Sequence, residues 1–244
     1  MNLEEKFIET KKGRIYYIES GAQGPQVVYL HGGMGKPFLS LRLVSNIKGI
    51  KVIAPYLPGH GLSMDIPSNF NYTNYLSVIS GFINSVCSQN FILMGHSFGG
   101  RLVTDLVKNN NFTNKIILYA PLLQKVPSFY KTSINILIDW LTDCEYRTNH
   151  SRYYNVTIRD PKWINLSKVW RVIHSIPTHK QYNFVNKTLI LWGKNDRVLP
   201  LKTNLPLLNN LPNKTIKIFS GGHYCYQKNQ TRFFRTIEEF IKNK

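Results

Sequence analysis

Short apolar runs alternate with amphipathic stretches along most of this chain, and the period of each run indicates the element it forms. Phe7–Thr10 and Arg14–Glu19 alternate around a Lys11-Lys12-Gly13 turn and predict an opening β-hairpin. Gln26-Val27-Val28-Tyr29-Leu30 is a short continuous run, as a strand buried on both faces requires, and it ends at His31-Gly32-Gly33. Ile50–Ala54, Phe91–Met94, Ile116–Tyr119, Thr188–Trp192 and Thr215–Phe219 read the same way. Helical spacing comes between them. Asn74–Val86 places Tyr75, Ile79, Phe82, Ile83 and Val86 on one side. Arg101–Lys108 and Leu201–Leu208 are shorter helical stretches, and Asn229–Lys242 turns Phe233, Phe234, Ile237, Phe240 and Ile241 to one face.

Strands that alternate with helices predict an α/β fold: a mostly parallel central sheet with helices on both faces. The rhythm stops after Pro121. From there to residue 186 the pattern is helical, over Ser133–Leu141 and over Pro161–Ile176 with Trp163, Ile164, Leu166, Val169, Trp170 and Ile173. The expected organisation is one core domain, residues 1–121 and 187–244, with residues 122–186 inserted as a helical lid over the carboxyl edge of the sheet, where ligands bind in such folds.

At 244 residues the chain fits one large domain. No apolar run is long enough to span a bilayer, and Met1-Asn2-Leu3-Glu4-Glu5-Lys6 lacks a signal-peptide core, so no stable membrane insertion is expected. Cys87, Cys144 and Cys225 are odd in number and without metal-type spacing, which suits free thiols in the cytoplasm and no metal or other cofactor. The 31 Lys+Arg against 13 Asp+Glu leave a formal net charge of +18. Those charges are spread along the chain in no block of five, and no nucleic-acid motif accompanies them, so nucleic acid is not an expected partner.

The chemistry is concentrated where strands end. Gly95-His96-Ser97-Phe98-Gly99-Gly100 sits between an apolar strand and a helix, a turn so sharp that Gly95 and Gly99 have little room for a Cβ. Such a turn lifts a serine hydroxyl out of the sheet, but the hydroxyl needs a base and the base an orienting carboxylate. Of seven histidines, His223 follows the last strand in Ser220-Gly221-Gly222-His223, from where a loop reaches the serine turn. Of six aspartates, Asp196 follows the strand at 188–192 at the same edge, whereas Asp65, Asp139, Asp143 and Asp160 fall in loops or the insertion and Asp105 lies on the helix facing away. The order Ser97, Asp196, His223 is nucleophile, acid, base. For an oxyanion, the Phe98 amide at a helix N-terminus is one donor and Gly33 the expected second, with Met34 its nearest competitor. Met34, His96, Trp163 and Tyr224 are the expected substrate contacts.

These segments together resemble the α/β-hydrolase superfamily. The resemblance rests on Leu30-His31-Gly32-Gly33, Ile53–Ser63 with its Pro58-Gly59-His60-Gly61, Gly95–Gly100, Leu191–Pro200, and Gly222-His223. It covers nearly the whole chain apart from the insertion and implies a carboxylesterase- or lipase-like serine hydrolase with a helical lid. Family members usually carry an aspartate where Tyr56 stands, which implies altered anchoring of that loop with catalysis retained. A serine at the turn excludes the haloalkane dehalogenase and epoxide hydrolase branches, which place an aspartate there.

The expected reaction is two-step hydrolysis of a small carboxylic ester. Carbon–carbon bond hydrolysis, or a lyase step of the menaquinone-pathway type, stands as the alternative on the same residues, and a binding protein that uses the pocket as a receptor stands beside both. The insertion holds Phe129, Tyr130, Trp140, Tyr153, Tyr154, Trp163 and Trp170, which suits an apolar acyl or alcohol portion. It also carries ten Lys+Arg against four Asp+Glu between Leu122 and Lys187. A basic, aromatic lid suits an acidic acyl carrier protein, as in the biotin-pathway methyl ester esterases that the chain distantly resembles. A monomer or a dimer is expected.

Overall fold

The computed structural model describes residues 3–21, 23–33, 43, 46–87, 90–109, 115–126, 128–143 and 165–243. Eight strands form one sheet: β1 (Leu3–Thr10), β2 (Gly13–Ser20), β3 (Gln26–Leu30), β4 (Lys51–Pro55), β5 (Ile92–His96), β6 (Lys115–Tyr119), β7 (Lys187–Gly193) and β8 (Lys214–Phe219). Their order is β1-β2-β4-β3-β5-β6-β7-β8, antiparallel through the first hairpin and its junction with β4 and parallel from β4 onward. β5 is buried at every position, as a central strand covered on both faces must be.

Helix α1 (Tyr72–Val86) starts two residues before the apolar pattern suggests, because Asn71 and Asn74 each accept the other's backbone N–H, at 3.0 and 3.1 Å. Helix α2 (Phe98–Asn109) begins directly after Ser97. Gly99 and Gly100, which read as turn residues, lie inside its first turn. Helices α3 (Phe129–Asp143) and α4 (Leu166–His174) follow β6, and between β6 and β7 the described residues contain helices and loops. α4 starts at Leu166, where the Asn165 side chain accepts the Lys168 N–H; positions 161–164 of the expected helix lie outside the described residues. The expected helix at Leu201–Leu208 is split into a short α5 (Leu201–Asn204) and a 3-10 turn (Leu205–Leu208), since Pro206 has no N–H to continue the α ladder. α6 (Gln230–Lys242) buries all five apolar side chains read from its period. No helix among the described residues is long and apolar enough to cross a membrane.

Under the sheet edge, α2 is fixed by a buried polar cluster. Arg101 Nε donates to Asp105 Oδ2 at 2.6 Å, the Tyr72 hydroxyl donates to the same oxygen at 2.8 Å, and Arg101 Nη2 reaches the Pro177 carbonyl at 2.5 Å. This ties the helix after the serine to the chain between α4 and β7, and it accounts for Asp105 lying away from the site.

Candidate active site

Strand register places the site. Leu30 of β3 pairs with Gly95 of β5, so Gly33 and Phe98 both stand three residues beyond one register pair at the carboxyl edge. Gly193 of β7 pairs with Phe219 of β8, so Asp196 and His223 stand three and four residues beyond another. Four loops from neighbouring strands therefore converge on one end of the sheet.

Ser97 has φ 55°, in the left-handed region that costs a non-glycine residue about 1–2 kcal/mol. The turn is held by hydrogen bonds. Ser97 N–H donates to the Tyr119 carbonyl at 3.0 Å, and the Ser97 carbonyl accepts from Arg101 at 3.2 Å and Leu122 at 2.9 Å. A Cβ on Gly95 would overlap the Gly99 backbone, and one on Gly99 the Leu30 carbonyl, which is why the positions flanking the serine are glycine. The next strand shows the same strain: Ala120, one residue past Tyr119, has φ 40°.

His223 and Asp196 form a buried pair, with His223 Nδ1 2.8 Å from Asp196 Oδ2. A carboxylate only accepts, so Nδ1 carries a proton, and in the neutral ring that leaves the lone pair on Nε2, the tautomer a general base needs. The other oxygen, Asp196 Oδ1, accepts from Val198 N–H at 2.9 Å and Leu199 N–H at 2.7 Å, so the carboxylate cannot swing away from the ring. The Tyr119 hydroxyl donates to the His223 carbonyl at 2.7 Å, tying the loop to β6.

Gly33 lies against the start of α2: a Cβ on it would be 3.3 Å from Phe98 Cβ and 2.7 Å from Ile173 Cδ1 of α4. Its carbonyl is 3.0 Å from His60 Nε2, and His60 Nδ1 is 3.2 Å from the Leu57 and Pro58 carbonyls. The ring thus lies between the Pro58-Gly59 turn and Gly33, and in its neutral form it donates its one N–H to one of them. His31 stands edge-on to it, accepting the Leu57 N–H at Nε2 (3.1 Å) with Nδ1 2.8 Å from the Gly32 carbonyl. Burial pulls both imidazoles below their ordinary pKa, so both are neutral scaffolding. Tyr56, in place of the family's aspartate, is buried beside Glu5 of β1, and burial with that neighbouring charge raises its phenol pKa. The altered anchoring is therefore a contact to the edge hairpin.

Of the expected substrate contacts, His96 is buried and stacked on Tyr119 at 4.5 Å, with its ring centre 4.7 Å from His223. Burial, then the adjacent His223, drives its pKa well down. Tyr224 lies 5.4 Å from the His223 ring and 5.8 Å from His96. Met34 and Trp163 lie outside the described residues. Asp139, read as an aspartate of the helical insertion and set aside as a triad member, is fully buried on α3, and its Oδ2 accepts the His223 N–H at 3.0 Å, a contact the sequence reading did not foresee.

A strained serine, a buried His–carboxylate pair and a glycine turn at one edge of an eight-stranded, mostly parallel sheet define a hydrolase-type α/β protein. Residues 27–236 match the alpha/beta hydrolase family, and the chain belongs to it. A 2-hydroxy-6-oxononadienedioate/2-hydroxy-6-oxononatrienedioate hydrolase of Burkholderia vietnamiensis is 31% identical, over 94% of this chain and 91% of that protein. A 2-hydroxy-6-oxo-6-phenylhexa-2,4-dienoate hydrolase of Burkholderia cepacia is 25% identical over 94% and 92%. Among solved structures, an esterase from Exiguobacterium antarcticum superposes with TM-score 0.77 at 18% identity, covering 98% of this chain and all of that one.

Proposed function

We propose that this protein hydrolyses carboxylic esters with an apolar acyl or alcohol portion through a Ser97 acyl-enzyme. The observation that carries the reading is the buried His223–Asp196 contact of 2.8 Å at the sheet edge where Ser97 is held at positive φ. His223 Nε2 takes the Ser97 proton as Oγ attacks the carbonyl carbon, and the oxyanion is received by the Phe98 and Gly33 amides. As the intermediate collapses, His223 returns the proton to the leaving alcohol, and it then activates water to free the acid. Asp196 keeps the ring in its tautomer and stabilises the imidazolium. Ile173 of α4, close over Gly33, gives the site an apolar neighbour and supports an apolar substrate group.

Hydrolysis of a carbon–carbon bond beside a ketone is the second reading, favoured by the dienoate and dienedioate substrates in the names of the relatives. A panel of p-nitrophenyl esters from acetate to laurate, run beside a 2-hydroxy-6-oxo-dienoate, separates the two. Turnover with a chain-length optimum supports the ester reading; turnover of the dienoate alone overturns it in favour of the second. Ser97→Ala should abolish either activity, and full activity in that variant would remove the serine from the mechanism. An acidic acyl carrier protein as the ester's carrier rests on the positive balance of the insertion. It predicts that activity on a carrier-linked ester, unlike a free one, falls steeply with added salt.

A further inference from the structure

We infer that α3 of the insertion is a positioning element for the proposed triad, acting through Asp139 and Asn135. The inference rests on the Ser97–His223–Asp196 reading. Asp139 is fully buried, and its Oδ2 accepts two backbone amides at once, His223 N–H at 3.0 Å and Arg197 N–H at 3.0 Å. One belongs to the proposed base and the other to the residue after the proposed acid, so one oxygen fixes the spacing of the two loops. Asp139 Oδ1 accepts from Arg197 Nη1 at 3.0 Å, which neutralises the buried charge. One helical turn earlier, Asn135 Nδ2 donates to the Arg197 carbonyl at 2.8 Å. The (i, i+4) pair therefore holds both the N–H and the carbonyl of Arg197 from one face of a helix. Gly222 completes the fit, since a Cβ there would lie 2.6 Å from the Asp139 carboxyl carbon.

The arrangement has a consequence for catalysis distinct from stability. Asp196 and His223 come from separate loops, and their side-chain contact is only as good as the alignment of those loops. Removing the Oδ2 acceptor frees both amides, and a shift on the order of 1 Å in a reacting group costs about 10²-fold in rate. Asp139 acts on the two loops through their backbone amides.

The test is the kinetics of Ser97 labelling by a fluorophosphonate, which reports nucleophile activation whichever substrate is natural. Asp139→Leu should lower the limiting labelling rate by about 10²-fold, with the half-saturating concentration within about 2-fold of wild type. Asp139→Asn keeps an oxygen for the amides and should recover much of that rate; Asn135→Ala should lose about 3- to 10-fold. Lowered thermal stability with an unchanged limiting rate, or a change confined to half-saturation, would overturn the inference and leave α3 a structural brace. Should the leucine variant not fold, wild-type labelling rates in both Asp139→Asn and Asn135→Ala overturn it equally. Failure of the triad reading looks different: the wild type would then go unlabelled, or Ser97→Ala would label.

Discussion

Acidification should destabilise this protein through its buried histidines, and the size of the effect can be worked from the site. His31 and His96 are held well below their ordinary pKa of 6.5, His31 by burial and then the nearby His60, His96 by burial and then His223. In the folded state both stay neutral, while in the unfolded chain both take up a proton as pH falls below about 6.5. Stability is therefore present above that pH and lost below it, because the unfolded state binds more protons. Each histidine contributes a slope that rises from half of about 1.4 kcal/mol per pH unit at pH 6.5 toward the full value below it, so between pH 6.5 and 5.0 the pair removes about 3 kcal/mol. His60 is shifted in the same direction and adds to it. Against a domain stability of about 5–15 kcal/mol that loss is large. Urea unfolding followed by tryptophan fluorescence at pH 7.0, 6.0 and 5.0, at constant ionic strength, measures it. His96→Gln should flatten the pH slope by about 1 kcal/mol per unit over this range, whatever it does to stability at pH 7, since carboxylates contribute equally to both proteins. A His96→Gln slope identical to wild type would refute the reasoning.

The remaining predictions concern the turn and its supports. Gly99→Ala forces a methyl onto the Leu30 carbonyl and should reduce fluorophosphonate labelling by about 10²-fold or more. Gly81→Ala, inside α1 with open space around the added methyl, should instead raise stability by about 0.5–1 kcal/mol in urea titrations, with labelling unchanged. His60→Ala removes the side chain packed 3.0 Å from the Gly33 carbonyl and should slow ester turnover by about 10-fold or more, the expected cost of a misplaced oxyanion donor; an unchanged turnover number would separate Gly33 from that role.

The parallel strands, the strained serine turn and the pairing of Asp196 with His223 were legible because each is encoded locally. A continuous apolar run marks a buried strand, glycines on both sides of a serine mark a turn without room for Cβ, and a short polar loop after a strand leaves its side chains at the carboxyl edge. What the chain concealed was of two kinds. Helix α2 was read as starting at Arg101 because Gly99 and Gly100 are poor helix formers, yet those glycines let the helix pack against the Leu30 carbonyl and Pro121, and tertiary fit overrode propensity. Asp139 was concealed more deeply, because its partners are backbone amides 58 and 84 residues away.

A signal for Asp139 did exist, and it runs against the usual rule. Among its described side chains, helix α3 buries Thr132 and Asp139 with Ile136 packed partly against the core, while Tyr130, Ile134, Leu137 and Ile138 are exposed. An amphipathic reading turns the apolar stripe inward, and by that rule Asp139 belongs to solvent. Burying a carboxylate without partners is so costly that a buried one implies donors aimed at it, and two of these donors are the amides of the loops that carry the proposed acid and base. The polar face of α3 is thus explained by what it holds in place. A helix that turns its polar residues toward the core must find hydrogen-bond partners there, and a sheet edge where loops leave their last carbonyls and amides unpaired by strands is where such partners are available.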